Sequence, residues 1–396
     1  MLEEKLVPKI RFSEFEEPWN EVQLKDIATF SKGKGISKED ITGNGIPCIR
    51  YGELYTQYKE NITEVYSKTN LEKDNLVLSE KDDILIPCSG ETAIDLATAS
   101  CVRDEGVAIG GDITIIKTNQ NPLFVSYCLN NKRTEIAKYA QGVSIVHLYA
   151  KDFKDMNLMI PKCSEQKKIV EFLENLNIYI DSLERKKSLF IKTKNSIIKS
   201  INDNILLNSP DVLISDLFRI KKGKGLSKEK VSEEGKYSAI LYGELYTTYN
   251  EIIESTISFT DCNEGFHSKK GDILIPGSTT TKGIDLVTAS VVCSDDIRLG
   301  GDINILRKKE EINPVYAATF IKYCMKREIL RLTQGSTIIH LYGKDLKDLP
   351  IKLLSLEVQN NIANFIKYYN IQEKLYDKKI NKFKDFKKGL LQKMFV

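Results

Sequence analysis

The chain has 396 residues, 41% of them apolar and 29% charged, with a formal net charge of +3. That composition is ordinary for a globular protein of two or three domains, and no apolar run approaches the ~18 residues a membrane span needs. The acidic start Met1-Leu2-Glu3-Glu4-Lys5 lacks the apolar stretch of a secretory signal, and so near-neutral a charge leaves nucleic-acid affinity to local clusters or to partners. Eight scattered cysteines with no CxxC pair point to free thiols in a reducing cytoplasm, not to a disulfide framework or zinc site.

Read in order, the chain says nearly the same thing twice. A segment from Pro8 to Asn20 has no counterpart. The stretches from about 20 to 160 and from 211 to 353 are rich in Gly and β-branched residues, and they match at an offset between 189 and 193. Lys32-Gly33-Lys34-Gly35 returns as Lys222-Gly223-Lys224-Gly225. Tyr51-Gly52-Glu53-Leu54-Tyr55-Thr56 returns unchanged at 242–247, and Gly110-Gly111-Asp112-Ile113 at 300–303. Runs such as Ile84-Leu85-Ile86 and Ile113-Thr114-Ile115-Ile116 predict strands, while Phe124 to Ala140 and Val315 to Leu332 predict helices. The expected class is α/β or α+β, in two tandem globular parts. A repeat of this length is a domain, not a solenoid unit.

The shared motifs supply candidate contacts, each with a plainer alternative. Glycine in the Lys-Gly-Lys-Gly loops lets backbone N–H groups approach a phosphate, with Lys32, Lys34, Lys222 and Lys224 adding charge; the alternative is a solvated hairpin turn. No GxxxxGK[ST] nucleotide loop is present. Arg50, Tyr51, Glu53 and Tyr55, and Tyr242, Glu244 and Tyr246, combine aromatics with groups that can read base edges, or form a tyrosine-lined turn with a structural Glu. His147-Leu148-Tyr149 and His340-Leu341-Tyr342 follow the small polar residues Ser144 and Thr337 and offer hydrogen-bonding contacts or a capped helix start. Their surroundings lack ligand spacing for a metal. The copies differ at Cys88-Ser89-Gly90-Glu91-Thr92 against Gly277-Ser278-Thr279-Thr280-Thr281, so Ser89, Thr92, Ser278 and Thr280 are candidates for discrimination. Asn121-Pro122 and Asn313-Pro314 lack the second proline of an adenine methyltransferase loop and predict helix starts. Pro210-Asp211 with Glu234-Gly235-Lys236 imitates a nuclease triad in one copy alone and reads as coincidence.

Each copy ends in a long helix. From Ser164 to Asn202 there is no Gly or Pro, and Ile169, Leu173, Leu176, Ile180, Leu183, Phe190, Ile197 and Ile201 keep three-four spacing, with Lys187 and Lys194 in two seam positions. At an offset of 193 the second copy has Ile362, Ile366, Tyr369, Tyr376, Ile380, Phe383, Leu390 and Met394, with Glu373 and Lys387 in polar slots. Two helices of about 35–40 residues, roughly 55–60 Å long, are expected to pack on each other. If they run antiparallel, Lys187 or Lys194 approaches Glu373.

Pro8-Lys9-Ile10-Arg11-Phe12 leading to Trp19 and Leu24-Lys25-Asp26-Ile27, then Asp83-Ile84-Leu85-Ile86, then Ile160-Pro161 running into Glu165-Gln166-Lys167-Lys168-Ile169, together with the domain–helix–domain–helix order, resemble the specificity subunit of type I restriction–modification systems. The resemblance covers the whole chain. It implies a first target-recognition domain over 1–160, a spacer helix over 161–205, a second recognition domain over 206–353 and a second helix over 354–396. It further implies that each domain reads one half of a split site in double-stranded DNA, while the antiparallel helices set the spacing and hold two methyltransferase subunits. Motor/nuclease subunits join for restriction. The chain itself is then non-catalytic and cytoplasmic and binds no cofactor, S-adenosylmethionine, ATP and Mg belonging to the partner subunits. Val358-Gln359-Asn360-Asn361-Ile362 departs from the Glu-Gln-Lys-Lys-Ile pattern, which weakens the implied methyltransferase contacts of the second helix. The competing readings are a stand-alone DNA-modifying enzyme and an interaction scaffold without a DNA role. Two like domains on antiparallel helices are expected to read related sequences on opposite strands.

Overall fold

The computed structural model describes residues 7–142, 145–205 and 209–396. The chain forms two compact units, residues 1–182 with 380–396, and residues 183–379. Each unit thus combines the globular part of one repeat with a stretch of both long helices.

In the first unit, the apolar run Asp83–Pro87 is buried along its whole length. It lies in the middle of a five-stranded sheet, between Ile113–Thr118 and Ser100–Val102, with Ala28–Lys32 and Asn61–Ile62 at the edges. All pairings are antiparallel except that of Asn61–Ile62 with Ser100–Val102. A smaller four-stranded sheet joins Ala108–Ile109, Ile46–Ile49, Ser67–Thr69 and Ile41–Thr42. The second unit repeats the five-stranded order with Phe218–Lys222, Ile303–Lys308, Ile273–Pro276, Ser290–Val292 and Ile252–Ile253. Its four-stranded sheet differs at both edges: it lacks a counterpart of Ile41–Thr42 and gains Phe266–His267, which pairs with Arg298–Leu299. Mostly antiparallel sheets with a few short helices make each globule α+β.

The Asn-Pro dipeptides start helices as expected. Asn121 caps Pro122–Asn131 by accepting from the Phe124 N–H, and Asn313 caps Pro314–Cys324 through Val315 and Tyr316. The single helices expected over 124–140 and 315–332 are each broken, at Lys132 and Met325, whose backbones leave the helical region.

The long helices run over Cys163–Ile205 and Leu356–Met394, 43 and 39 residues. Their seam residues are buried or half-buried throughout. In the second unit the helices are antiparallel neighbours: Phe190 stacks on Tyr369 at 4.3 Å, and Lys187 reaches Asp377 at 2.6 Å and Glu373 at 4.0 Å. In the first unit, Tyr179 sits edge-on to Phe383 at 4.8 Å. The ends of the seam do more than pair helices. Ile169, Leu173, Leu390, Met394 and Phe395 enter the core of the first unit with Trp19, Phe124 and Tyr127, and Leu176 packs against it. Ile362 joins the core of the second.

A polar clamp seats each helix start. Gln166, 1% exposed, accepts from the Asn121 N–H and donates to the Pro161 carbonyl; Gln359 does the same with Asn313 and Leu354. Glu165 takes both Arg11 Nε and Nη2 at 2.7 Å, plus the Trp19 indole N–H at 3.3 Å. Val358 stands at the matching position of the second helix, where no counterpart of Arg11 exists.

Leu173→Asp should destabilise the first unit by at least ~3 kcal/mol, because it places an unpaired charge at a fully buried core site. Denaturant unfolding of the full chain checks this; Ile178→Asp, on the exposed side of the same helix, should change stability by less than ~0.5 kcal/mol.

Candidate nucleic-acid interface

In both units the same loops converge at one end of the five-stranded sheet. Gly33 and Gly223 lie so close to the Gly110 and Gly300 carbonyls that a Cβ at either would collide with backbone. The Lys-Gly-Lys-Gly turn is therefore held by backbone contact, with Gly33 N–H donating to Ile113 and Lys34 N–H to Ile109, both at 3.0 Å. Asp112 and Asp302 adopt left-handed φ of 57° and 55°, a conformation that Asp tolerates better than bulkier residues. Their carbonyls accept from the Cys88 and Gly277 N–H groups at 2.6 Å. That fixes Ser89–Gly90 and Ser278–Thr279, which pair antiparallel with Val146–His147 and Ile339–His340.

In the first unit this assembly gathers Lys32, Ser89, His147, Tyr149 and Tyr55. Ser89 Oγ lies 3.0 Å from His147 Nδ1, so it orients the ring. The His147 and Tyr149 rings are parallel at 6.0 Å, and Lys32 Nζ sits 4.6 Å over Tyr149. Tyr55 lies beside Gly90. In the second unit His340 and Tyr342 stack in the same way at 5.7 Å. Here Ser278 donates to Asp302 at 3.1 Å, and Lys222 pairs with Asp302 at 3.3 Å. The equivalent hydroxyls and lysines thus have different partners in the two copies.

Several sequence candidates are placed elsewhere. Glu53 is only 3% exposed; it accepts from the Arg50 N–H at 2.8 Å and from Ser67 Oγ at 2.5 Å. Glu244 accepts from Ser258 Oγ at 2.6 Å, and burial pushes its carboxyl up despite that bond and one from Tyr249. Both glutamates are thus bonded within their own domains, Glu53 buried and Glu244 half-buried, and Tyr51–Thr56 and Glu244–Thr247 are short helices instead of strand turns. Arg50 is turned toward Glu53 at 3.6 Å. Ser89 and Ser278, 4% and 2% exposed, lie beneath the surface. Thr92 caps a short helix by bonding Asp95. Tyr242 packs on the small core around Ile240 and Leu299, and Tyr246 is half-buried. Ser144 lies outside the described residues. Lys32, Lys34, Tyr51, Lys222, Lys224, Thr280, Thr337 and Tyr342 are exposed, with His147, Tyr149 and His340 half-buried beside them.

Sequence reasoning missed Asp112 and Asp302, which hold the turn, and Lys151 and Lys344, whose Nζ atoms lie 5.9 and 5.6 Å over Tyr149 and Tyr342. The recurrence of Gly-Gly-Asp, and of Lys two residues after Tyr, was the available signal. Among the described residues, no group of three or more His, Cys, Asp or Glu is placed to hold a metal ion.

The family model of the type I restriction modification DNA specificity domain matches twice, at residues 16–193 and 210–384. The chain belongs to this family. It is a type I restriction–modification specificity subunit with two target-recognition domains. From Methanocaldococcus jannaschii, the type I restriction enzyme MjaX specificity subunit is 20% identical over 385 residues, 91% of this chain and 88% of that protein. The MjaVIII specificity subunit of the same organism is 23% identical over 192 residues, 47% of this chain and 42% of that protein. The fold is shared with the crystal structure of the type I S subunit from M. genitalium, at TM-score 0.62 and 17% identity, covering 98% of this chain and 99% of that one.

Beneath this loop cluster the two domains have exchanged volume. Cys88 Sγ lies 3.1 Å from Thr114 Oγ1, with Ala150 nearby in sequence order after Tyr149. The matching residues are Gly277, Asn304 and Gly343, where Asn304 donates to the Leu341 carbonyl at 2.9 Å. A Cβ at Gly343 would come within 3.0 Å of Asn304 Oδ1 and 2.9 Å of Ile220. Gly343→Ala should therefore destabilise the second unit by ~1–3 kcal/mol through overpacking. Adding Asn304→Thr should recover most of the loss; thermal unfolding of the single and double variants checks this.

Proposed function

We propose that this specificity subunit reads a two-part site in double-stranded DNA, one part through each recognition domain, and that it is itself non-catalytic. The observation that carries the reading is the repeated constellation: Lys32, His147 and Tyr149 in one unit, Lys222, His340 and Tyr342 in the other. Exposed lysines of the Gly-rich turns supply phosphate contacts that carry affinity and salt dependence. The half-buried His147, Tyr149 and His340 and the exposed Tyr342, with their rings stacked in pairs, supply donors and acceptors to base edges. Within each unit the two helices run antiparallel, and the two repeats are alike. This supports a target whose halves are inverted relatives of each other. The different partners of Ser89 and Ser278 favour a difference at one or two positions.

The two long helices set the distance between half-sites and carry two methyltransferase subunits. Leu189, Tyr368 and Leu375 in the second unit and Ile178 in the first are more than half exposed on them, apolar side chains that a lasting partner would cover. Motor/nuclease subunits join that complex for restriction. S-adenosylmethionine, ATP and Mg serve those partners, and the assembly works in the cytoplasm. No described helix is long and apolar enough to cross a membrane.

Methylome mapping with and without this gene should show adenine methylation in both halves of a bipartite site, one on each strand. The purified chain with S-adenosylmethionine and DNA should give no turnover. Half-sites without inverted similarity, or turnover by the chain alone, would contradict the reading. Lys34→Ala and Lys224→Ala should each lower the salt slope of DNA binding by the assembled complex by about one unit without altering the methylated sequence.

A further inference from the structure

One ion pair recurs in both units and joins the two repeats. Lys194, at a seam position of the first helix, reaches Glu251 at 2.9 Å and Asn370 at 2.8 Å. Lys387, 193 residues later at the same seam position of the second helix, reaches both Glu60 oxygens at 3.2 Å. Glu60 and Glu251 are themselves equivalent, each preceding the parallel edge strand of its five-stranded sheet, Asn61–Ile62 or Ile252–Ile253. In each case the lysine belongs to one repeat and the glutamate to the other.

The two copies differ in strength. Lys194 and Glu251 are 4% and 1% exposed, and Glu251 also takes Lys322 Nζ at 2.9 Å and the Tyr323 hydroxyl at 2.5 Å. Burial alone would raise the Glu251 carboxyl, but Lys322 and Lys194 outweigh it and hold it well below the usual carboxylate range. Lys387 and Glu60 are 15% and 19% exposed, and they border an open cleft of about 660 Å³ lined also by Asn130, Asn131 and Lys388.

A charge in an apolar seam is costly, and a buried ion pair adds little net stability over an apolar pair of the same shape. Such a pair does enforce one geometry, because any other seat leaves a buried charge without its partner. We propose that Lys194 and Lys387 are positioning residues that lock each recognition domain on the helix pair, and that they thereby fix the spacer length the subunit accepts. The proposal rests on the two-part DNA reading given above. At this seat the second domain places a buried glutamate against two lysines and a tyrosine, whereas the first places a partly exposed glutamate against one lysine. One base pair of spacer shifts the second half-site by about 3.4 Å and roughly 35° around the duplex, so a locked domain rejects it and a loosened one follows it.

The test uses the assembled methyltransferase complex and DNA carrying the native half-sites at the native spacer and at one base pair more and less. With Lys194→Met or Lys387→Met, methylation at the altered spacers should rise about tenfold relative to the native spacer, with the half-site bases unchanged. Lys387→Glu combined with Glu60→Lys should return the wild-type profile. A second readout needs no DNA: amide exchange at Val291, which donates to the Glu251 carbonyl, should quicken in Lys194→Met, and at Cys101, which donates to Glu60, in Lys387→Met. Methylation falling equally at all spacers, an unchanged spacer profile, or unchanged amide protection would each overturn the proposal. A wild-type complex that methylates no two-part site counts against the functional reading, and the exchange experiment then decides the seat on its own.

Discussion

An amphipathic helix of about 40 residues cannot leave its apolar stripe in water, and this chain has two of them. Each stripe is covered partly by the other helix and partly by a globular core. Leu173 and Met394 lie in one core although they belong to different repeats. This shared burial makes the compact unit a composite: one recognition domain, part of its own helix and part of the other repeat's. Neither repeat in sequence is a unit in space. Lys194 and Lys387 add ion pairs to this apolar packing, each joining the helix of one repeat to the globular part of the other.

The repeated loop cluster depends on a second constraint, backbone touching backbone. Gly33 against Gly110 and Gly223 against Gly300 leave no room for a Cβ, and the left-handed Asp112 and Asp302 turn the chain beneath them. These positions recur because the geometry admits few residues. Around that frame the side chains vary. Ser89 orients His147, whereas Ser278 and Lys222 both turn to Asp302. Even the buried layer has exchanged Cys88 and Thr114 for Gly277 and Asn304. A common scaffold with different polar partners is a physical basis for two related but unequal readings.

Much of this was legible in the sequence, because periodicity and repetition report packing directly. The seam from Ile169 to Leu183 and from Ile362 to Ile380, its polar slots, and the Asn-Pro helix starts all follow from spacing. One seam position drifted: Ile198 is buried and Ile197 only half so. A strict heptad falls behind a straight helix by ~20° per repeat, which moves the inward position by the far end. What spacing could not report was which polar groups turn inward. Glu53 sits in a motif repeated letter for letter, and repetition alone does not separate a base contact from a buried support. Lys194 looked like a partner for Glu373; its Glu251 partner lies 57 residues away, in a segment whose glutamate recurs as Glu60 but whose spacing gives no sign that it faces the helix.

The central claim is that each recognition domain reads its half-site independently of the other. Replacing residues 20–160 by a second copy of 211–353 in the full chain, then mapping methylation by the assembled complex, tests it most directly. A perfect inverted repeat of the second half-site, at the native spacer, is the predicted result. Retention of the original asymmetric site would contradict the account.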